Sequence, residues 1–360
     1  MTTARTQKQL APGCRIRVLV IDDSVVIRRL VTHALEEDTS IEVVGSASNG
    51  ALALERIPQL NPDAVTLDIE MPEMDGLETL RRIRRLYPDL RVIMFSTLTA
   101  RGAASTFEAL ALGADDYVSK AANVGSLDRS IASLRSELIP KIKQFFAPPG
   151  PPLVSRPVAA RPFHAMRAAR PKVLAIGVST GGPAALGEIV PLFGAGFPLP
   201  ILIVQHMPPM FTRLLAERLQ ASSHLQIEEA VQGARVEPGK ALIAPGDYHL
   251  RIRKEGETVM AWLDQSMPEN SCRPAVDVLF RSVSEVYGGA ALAVVLTGMG
   301  QDGLRGVQSL KARGAYIIAQ DQATSVVWGM PGAVVGAGLA DCVTSLNGVV
   351  PEILRQIGGN

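Results

Sequence analysis

The chain has 360 residues and a formal net charge of +1 at pH 7, with 47% hydrophobic but only 4% aromatic residues. This length favours two domains over one, and the small charge argues against nucleic-acid binding. The three cysteines lie far apart, so we expect neither a metal motif nor a disulfide framework. No signal peptide or membrane-spanning stretch is recognisable, and we therefore expect a cytoplasmic protein without membrane insertion.

Strand-like and helix-like segments alternate over residues 15–146, behind a stretch of residues 1–14 that we expect to be disordered. The predicted strands are Val18–Ile21, Ile41–Gly45, Ala64–Leu67, Arg91–Phe95 and Asp116–Val118. The predicted helices are Val25–Leu35, Gly50–Ile57, Gly76–Leu86, Ala103–Leu112 and Leu127–Phe145. Such a βα repeat predicts a doubly wound, three-layer α/β domain with a parallel sheet.

Acidic residues follow two of these strands. Asp22 and Asp23 come directly after the first strand, and Asp68 follows the third. Because the carboxyl ends of parallel strands lie side by side, we expect these carboxylates to converge, and such a group of hard oxygen ligands suits Mg²⁺. The alternative is that the acidic residues only cap the helices that follow.

A wider pattern resembles the receiver domains of response regulators. It consists of Asp22-Asp23-Ser24, the stretch from Leu67 to Gly76, Ser96 after the fourth strand and Lys120 after the fifth. The resemblance implies a flavodoxin-like fold in which Asp68 accepts a phosphoryl group from a histidine kinase.

The same resemblance implies roles for the neighbouring residues. It implies that Asp22, Asp23, Asp68 and the Glu70 carbonyl hold Mg²⁺, that Lys120 pairs with the phosphoryl oxygens, and that Ser96 and Tyr117 rearrange with the phosphate. One position departs from the family, because Ala121 follows Lys120 where proline is usual. A cis bond before a residue other than proline costs about 2.5–4 kcal/mol, so the geometry of this turn is not predicted.

Residues 147–171 are rich in proline and arginine, which predicts an extended linker between domains. A second α/β domain is predicted over residues 172–358, with a Rossmann-like, mostly parallel sheet. Its predicted strands are Val173–Ile176, Ile201–Val204, Ala241–Ala244, Ala291–Leu296 and Ala315–Ala319, with a helix over Ala184–Val190.

The first strand of this second domain ends in a glycine-rich turn that carries Ser179. The turn fits the G-x-S-x-G pattern of a nucleophilic serine, but the N–H groups of the helix behind it would also suit a phosphate. His206 follows the next strand, and Asp302 lies in a glycine turn after a later one. A nucleophilic serine needs a base, and a buried carboxylate can orient a histidine that serves as one.

We therefore predict a catalytic triad of Ser179, His206 and Asp302, with the backbone N–H groups of Thr180 and Met299 facing an oxyanion. The order Ser, His, Asp differs from the order Ser, Asp or Glu, His of ordinary α/β-hydrolases. A dinucleotide-binding turn would carry glycine where Ser179 stands. Two alternatives remain, a nucleotide-binding module and a DNA-binding output, although the sequence shows no helix-turn-helix pattern or basic face.

Six stretches of this domain resemble the CheB-type chemotaxis methylesterases. They are Ile176–Pro183, Gln205–Pro209, Ala244–His249, Arg273–Phe280, Leu296–Gly303 and Gln320–Pro331. The resemblance implies a protein-glutamate methylesterase that also deamidates receptor glutamines, with Ser179 as nucleophile, His206 as base and Asp302 as its orienting partner. It further implies methyl-accepting chemoreceptors as substrates, a CheA-type histidine kinase as phosphodonor, activation through Asp68, and no cofactor in the catalytic domain.

Overall fold

The computed structural model describes residues 11, 13–97, 99–120, 127–146 and 170–358. The chain separates into two compact units, Met1–Gly150 and Pro151–Asn360. The disordered stretch predicted for residues 1–14 lies outside the described residues except for 11, 13 and 14. The predicted linker likewise lies outside them except for residues 170 and 171, and so does Ala121.

The first unit alternates five strands and five helices. The strands are β1 (Ile16–Ile21), β2 (Ile41–Ala47), β3 (Ala64–Asp68), β4 (Arg91–Thr97) and β5 (Asp116–Lys120). The helices are α1 (Val25–Glu36), α2 (Gly50–Leu60), α3 (Gly76–Leu86), α4 (Ala100–Ala111) and α5 (Leu127–Lys143). The strands pair in parallel in the order β2-β1-β3-β4-β5. This order is that of the flavodoxin-like fold, and the predicted fold class is confirmed.

Four helices of this unit begin at a residue whose side-chain oxygen accepts a hydrogen bond from the first turn. These capping residues are Ser24 for α1, Asn49 for α2, Asp75 for α3 and Thr99 for α4. Each cap satisfies an N–H group that has no partner within its helix. The loops that follow β1, β2, β3 and β4 therefore each end at a capped helix.

The second unit has nine strands and six helices within its described range. The strands are β6 (Val173–Val178), β7 (Ile201–Gln205), β8 (Gln226–Glu229), β9 (Lys240–Ile243), β10 (His249–Glu255), β11 (Thr258–Asp264), β12 (Ala291–Val295), β13 (Tyr316–Gln320) and β14 (Cys342–Thr344). The helices are α6 (Gly182–Ile189), α7 (Phe211–Ser222), α8 (Val276–Tyr287), α9 (Leu304–Ala312), α10 (Met330–Gly336) and α11 (Leu346–Gly358).

Seven of these strands form one parallel sheet in the order β14-β13-β12-β6-β7-β9-β8. From β6 the chain adds β7, β8 and β9 on one side of the sheet. It then returns to pair β12 with the other side of β6 and adds β13 and β14 beyond it. Doubly wound sheets bind their ligands where this direction reverses, beyond the carboxyl ends of the strands. In this sheet that point lies between β6 and β12.

Helix α8 is central to the apolar core of this unit. Its residues Val276, Leu279, Phe280 and Val283 are fully buried and pack with residues of β6, β12 and the β10–β11 hairpin. Burial of each such side chain stabilises the fold by about 1.5–3 kcal/mol. A Cβ atom at Gly177 would lie 2.3 Å from the Val276 side chain, so the first turn of α8 sits directly on β6. The N-terminus of α8 is thereby held beside the end of that strand.

Four strands of the second unit were not singled out by the sequence pattern. The β10–β11 hairpin is antiparallel and lies outside the main sheet, whereas β8 and β14 are the two short edges of that sheet. The mostly parallel α/β class predicted for this unit is confirmed. Among the described helices, none combines the length and the hydropathy that a crossing of the bilayer requires.

Candidate active site

The turn after β6 places Ser179 at the carboxyl edge of the sheet. Its N–H donates to the Thr297 carbonyl at 3.0 Å, and its carbonyl accepts from the Gly182 N–H at 2.8 Å. Gly181 has a φ of +79°, a left-handed conformation that favours glycine, and α6 begins at the next residue. The Ser179 side chain is half-buried, and its Oγ makes no hydrogen bond within the described part of the chain.

The loop after β12 packs directly against Ser179 at Gly298. A Cβ atom at position 298 would lie 2.7 Å from the Ser179 Cβ and 2.5 Å from the Met330 Sδ, so a larger residue would displace its neighbours. Beside it, Thr297 Oγ1 donates to the Thr180 carbonyl at 2.9 Å. These contacts hold the Ser179 turn against the loop that leads to Asp302.

His206 directly follows β7, the strand beside β6. Its N–H donates to the Val178 carbonyl at 3.2 Å, which extends the pairing of Val178 with Gln205 by one residue. The Nε2 of Gln205 donates to the carbonyls of Ser179 at 2.9 Å and of His206 at 3.3 Å. The backbones of Ser179 and His206 are therefore fixed next to each other by a shared side chain.

The Gln205 side chain occupies space that a glycine provides. Gln205 is 2% exposed, and its Oε1 has no hydrogen-bond partner among the described residues. A Cβ atom at Gly182 would lie 1.9 Å from this oxygen. The first residue of α6 must therefore lack a side chain for Gln205 to reach both backbones.

Asp302 lies in the loop between β12 and α9 and is 2% exposed. Its Oδ2 accepts hydrogen bonds from His206 Nε2 at 2.8 Å and from the Val276 N–H at 2.7 Å. Its Oδ1 accepts from Asn270 Nδ2 at 2.8 Å and from the N–H groups of Asp277 at 3.0 Å and Gly303 at 2.9 Å. Two of these donors are N–H groups of the first turn of α8, where the helix dipole favours a negative charge.

Each member of this pair stabilises the charged form of the other. Burial alone would raise the pKa of Asp302, but the hydrogen bond and charge of His206 and the α8 N–H groups lower it below its usual value. Burial alone would lower the pKa of His206, but Cys272 and Asp302 outweigh this and raise it. The His206 side chain is 12% exposed. Asp302 therefore stays ionised and fixes the orientation of the imidazole ring.

The structure brings His206 and Asp302 together through their side chains, and Ser179 to His206 through their backbones. Because Nε2 of His206 donates to Asp302, Nδ1 is the nitrogen that carries the lone pair when the ring is neutral. That Nδ1 faces the Cys272 Sγ at 3.6 Å. Among the described residues, Cys272 rather than Ser179 makes the hydrogen bond to this nitrogen.

Thr180 and Met299, the two expected oxyanion donors, lie in the two loops that meet at Ser179. Thr180 is 8% exposed and follows Ser179 in the chain. Met299 follows Gly298, and its N–H donates to no acceptor within the described residues. Its side chain is 39% exposed, so this part of the edge is open to a ligand.

Three residues at this site were given no individual role by the sequence pattern. Asn270, Cys272 and Asp277 contact Asp302 or His206, and Asp277 is also buried. Asp277 Oδ2 accepts a hydrogen bond from Asn270 Nδ2 at 3.0 Å. None of the three follows a strand of the parallel sheet, which was the signal that identified Ser179, His206 and Asp302.

A second polar site lies at the carboxyl edge of the first unit. Asp22 and Asp68 are buried and Asp23 is exposed, and each offers a carboxylate oxygen within 4.8 Å of the others. Lys120 Nζ pairs with Asp68 Oδ2 at 2.7 Å and with Asp22 Oδ2 at 2.9 Å. Asp23, Asp68 and Lys120 line an open pocket of about 280 Å³ together with Glu70 and Ser96.

The acidic residues of this site are not helix caps. Ser24 caps α1 and Asp75 caps α3, whereas Asp22 Oδ1 accepts the nearby Ser24 N–H at 2.9 Å. Burial, opposed by Lys120 and reinforced by the charge of Asp22, raises the pKa of Asp68 to about 6. One lysine does not neutralise three carboxylates, so the donor set fits an added hard cation such as Mg²⁺.

Ser96 and Tyr117, the two expected switch residues, contact residues of α4 and α5 respectively. Ser96 Oγ donates to the Gly102 carbonyl at 3.0 Å and accepts from Thr106 Oγ1 at 2.6 Å, so α4 holds this hydroxyl. Tyr117 is 6% exposed, and Lys141 Nζ lies 4.9 Å from the centre of its ring. Burial raises the pKa of Tyr117 well above its usual value.

Comparison with known proteins finds relatives for both units. The family model described as CheB methylesterase matches residues 174–353, and the one described as response regulator receiver domain matches residues 18–132. A protein-glutamate methylesterase/protein-glutamine glutaminase of Trichodesmium erythraeum is 51% identical over 351 residues, which cover 96% of this chain and 99% of that protein. A protein of the same name from a Nocardioides species is 50% identical over 355 residues and covers 96% of each.

A solved structure resembles the second unit. The crystal structure of the Thermotoga maritima CheB methylesterase catalytic domain is 43% identical in sequence and has a TM-score of 0.51. The similarity covers 52% of this chain and 99% of that one. A domain of this type was therefore crystallised without a receiver attached.

Proposed function

Because this chain belongs to the CheB methylesterase family and carries a response-regulator receiver domain, we propose that Ser179, His206 and Asp302 catalyse its hydrolytic reaction. In this proposal Ser179 is the nucleophile, His206 the general base and Asp302 the carboxylate that orients the ring. The observation that carries the proposal is the 2.8 Å hydrogen bond between His206 and Asp302 beside the Ser179 turn. This group lies where the winding of the sheet reverses, the usual ligand position in such folds.

The proposed substrate is a glutamate methyl ester on a chemoreceptor. Ser179 Oγ attacks the γ-carbonyl carbon while His206 Nδ1 accepts the hydroxyl proton, and the Asp302 carboxylate stabilises the imidazolium that forms. The ring then returns this proton to the departing methoxide, and methanol leaves. A serine ester of the receptor glutamate remains on the enzyme.

Water completes the cycle by the same route. His206 Nδ1 accepts a proton from a water molecule, whose oxygen attacks the ester carbonyl, and the proton passes to Ser179 Oγ as the ester bond breaks. The products are a free receptor glutamate and regenerated enzyme. With a receptor glutamine as substrate, the first leaving group is ammonia, and the same steps convert glutamine to glutamate.

The developing oxyanion would accept hydrogen bonds from the N–H groups of Thr180 and Met299. Both belong to the loops that meet at Ser179, and the Met299 N–H has no competing acceptor within the described residues. Loss of one such donor typically slows the chemical step about 10²–10³-fold. Gly298 supports this arrangement because its missing side chain lets the two loops approach.

The receiver domain would control this activity through phosphorylation of Asp68. Asp22, Asp23, Asp68 and the Glu70 carbonyl would hold Mg²⁺, which supplies positive charge for phosphoryl transfer when bound. Lys120 would pair with the phosphoryl oxygens, and Ser96 would leave Gly102 to follow them. The unphosphorylated receiver inhibits the esterase in this proposal, and the phosphodonor is a CheA-type histidine kinase that meets the enzyme and receptors in the cytoplasm.

Methanol release from methylated receptor membranes tests the proposal. The wild-type chain should release methanol, and a phosphodonor should stimulate it. Ser179→Ala should abolish release although its receiver still takes up phosphate. Asp68→Asn should keep the basal rate and lose the stimulation. Methanol release by Ser179→Ala at a wild-type rate would contradict the proposed nucleophile.

A further inference from the structure

The turn Glu269–Cys272 lies directly against the histidine and carboxylate of the active site. The N–H of Cys272 donates to the Glu269 carbonyl at 2.9 Å, and the N–H of Glu269 donates back to the Cys272 carbonyl at 3.1 Å. The two central residues, Asn270 and Ser271, have φ values of 52° and 62°. Two left-handed central residues within a closed pair form a type I′ turn, which leaves little freedom to the flanking side chains.

The turn is anchored to α8. The Glu269 carboxylate accepts hydrogen bonds from Arg281 Nη1 at 2.7 Å and from Nη2 at 2.5 Å, which is a bidentate pair. Since α8 also donates two backbone N–H groups to Asp302, the turn and this carboxylate share one rigid support. The position of the turn relative to Asp302 is therefore fixed from two sides.

The turn, held by α8, contacts both Asp302 and His206. Asn270 Nδ2 donates to Asp302 Oδ1 at 2.8 Å. Two residues on, Cys272 Sγ lies 3.6 Å from His206 Nδ1. The His206 Nε2 proton is already directed to Asp302, so the hydrogen bond between Cys272 and His206 uses Nδ1, and its proton lies either on the sulfur or on the ring.

We propose that Cys272 is a positioning residue that competes with Ser179 for Nδ1 of His206 and thereby sets the pH range in which the esterase works. The inference rests on the proposed role of His206 as the base for Ser179. The Ser179 hydroxyl proton must reach the same lone pair that Cys272 occupies in the state described. Substrate binding and catalysis therefore require the thiol to release the ring.

The effect of Cys272 on the pKa of His206 shows which form of the ring this contact favours. Among the described residues, the ionisable groups that act on the His206 ring are Cys272 and Asp302, and Asp277, Glu269 and Arg281 interact in turn with Asp302. A Cys272 thiolate attracts the imidazolium form and raises the pKa of His206 against the opposing effect of burial. An imidazolium has no lone pair, so this form cannot accept the proton of Ser179.

The test compares pH profiles of methanol release for the wild type, Cys272→Ala and Cys272→Ser in the full-length chain. Removal of the thiol lowers the pKa of His206, so the acid limb of kcat/KM should move to lower pH by about one unit in Cys272→Ala. Cys272→Ser keeps a hydrogen bond to Nδ1 but does not ionise, and its limb should also move to lower pH. Cys342→Ala, in the edge strand β14, is the matched control and should keep the wild-type profile.

A second measurement does not need turnover. The pKa of the His206 ring can be followed by NMR in a Ser179→Ala chain with and without Cys272→Ala, with assignment by His206→Gln among five histidines. The thiol-free chain should titrate about one pH unit lower. An unchanged titration, or a kcat that falls without any shift of the profile, would overturn the inference. An active Ser179→Ala would instead refute the proposed function itself.

Discussion

Each of the two sites of this chain has a buried carboxylate at the carboxyl edge of a parallel sheet, but the two carboxylates have opposite environments. At Asp68 burial and the neighbouring Asp22 raise the pKa to about 6, and Lys120 only partly opposes them. At Asp302 the imidazole and the N–H groups of α8 outweigh burial and lower the pKa. At the carboxyl edges of two similar sheets, the charged form is thus unfavourable for Asp68 and favourable for Asp302.

This difference matches the two proposed tasks. A carboxylate that is costly to keep charged gains from becoming an acyl phosphate or from gaining a cation, so Asp68 suits a reversible switch. A carboxylate that is fixed by backbone donors does not change state, so Asp302 suits a preorganised catalytic site. Side-chain partners can be rearranged, whereas N–H groups at a helix terminus move only with the helix.

The largest expected effect on kcat comes from removing the negative charge of Asp302. Asp302→Asn should lower kcat about 10³–10⁴-fold, because the amide neither stabilises the imidazolium nor holds the required tautomer. Initial rates of methanol release measure this, with thermal unfolding as a check that the chain is folded. Glu285→Gln, an exposed carboxylate on α8, is the matched control. A decrease below tenfold in Asp302→Asn would remove the contrast drawn between the two carboxylates.

Removal of the first unit tests whether the receiver domain inhibits the proposed esterase site of the second unit. Deletion of residues 1–150 should raise the basal rate about 5- to 150-fold, the usual range of coupling between regulated sites. The relative from Thermotoga maritima crystallised as a catalytic domain alone, which supports folding of this fragment. The comparison is the unphosphorylated full-length chain at equal molar concentration. An unchanged or lower rate would argue against inhibition by the receiver.

The pH profile tests the electrostatics of the fixed site. The neutral His206 ring is the proposed base, and Cys272 and Asp302 raise its pKa above the usual 6.5 against burial. A raised pKa means that protonation begins at higher pH, so kcat/KM should fall about tenfold per unit as pH drops through this value. In the wild type, the acid limb of the kcat/KM profile should lie above pH 6.5. If Asp302→Asn retains activity, its acid limb should lie at a lower pH than that of the wild type. A wild-type limb below 6.5 would contradict this assignment.

The smallest expected effect concerns the switch. Thr106→Val removes a hydroxyl that lies 2.6 Å from Ser96 Oγ and 2.7 Å from the Gly102 carbonyl, within hydrogen-bond distance of both. The Ser96 hydroxyl would then turn towards Asp68 more easily, and half-maximal stimulation should need about two- to tenfold less phosphodonor. Glu108→Gln, exposed on the same helix, should leave the dose response unchanged. The same dose response in Thr106→Val would show that this hydrogen bond does not hold the switch.

The sequence predicted the positions that follow strands and failed where partners depend on tertiary packing. Asp22, Asp68, Ser179 and His206 each stand at or next to a strand end, and the parallel topology brings them to an edge. Asn270 and Cys272 belong to the turn Glu269–Cys272. The packing of α8 determines which residues this turn contacts. The direction of the Ser96 hydroxyl, towards α4, depends likewise on a helix rather than on its own strand.

The missed strands have similar explanations. Leu250 and Ile252 alternate with polar residues in β10, so a hairpin signal was present in the sequence, but it is antiparallel and breaks the βα repeat. The edge strand β14 has only three residues, which is too short for a periodic pattern. The β10–β11 hairpin and β14 were both missed because neither follows the βα repeat on which the fold prediction depended.

The contact between Gln205 and Gly182 has an evolutionary consequence. Gln205 joins the backbones of Ser179 and His206 only because position 182 has no Cβ, which would lie 1.9 Å from its oxygen. The two positions therefore form an epistatic pair: alanine at 182 is harmful while glutamine stands at 205, and a shorter residue at 205 removes the constraint on 182. A lineage that changes one of them is expected to change the other, and the backbones of Ser179 and His206 then lose the side chain that joins them.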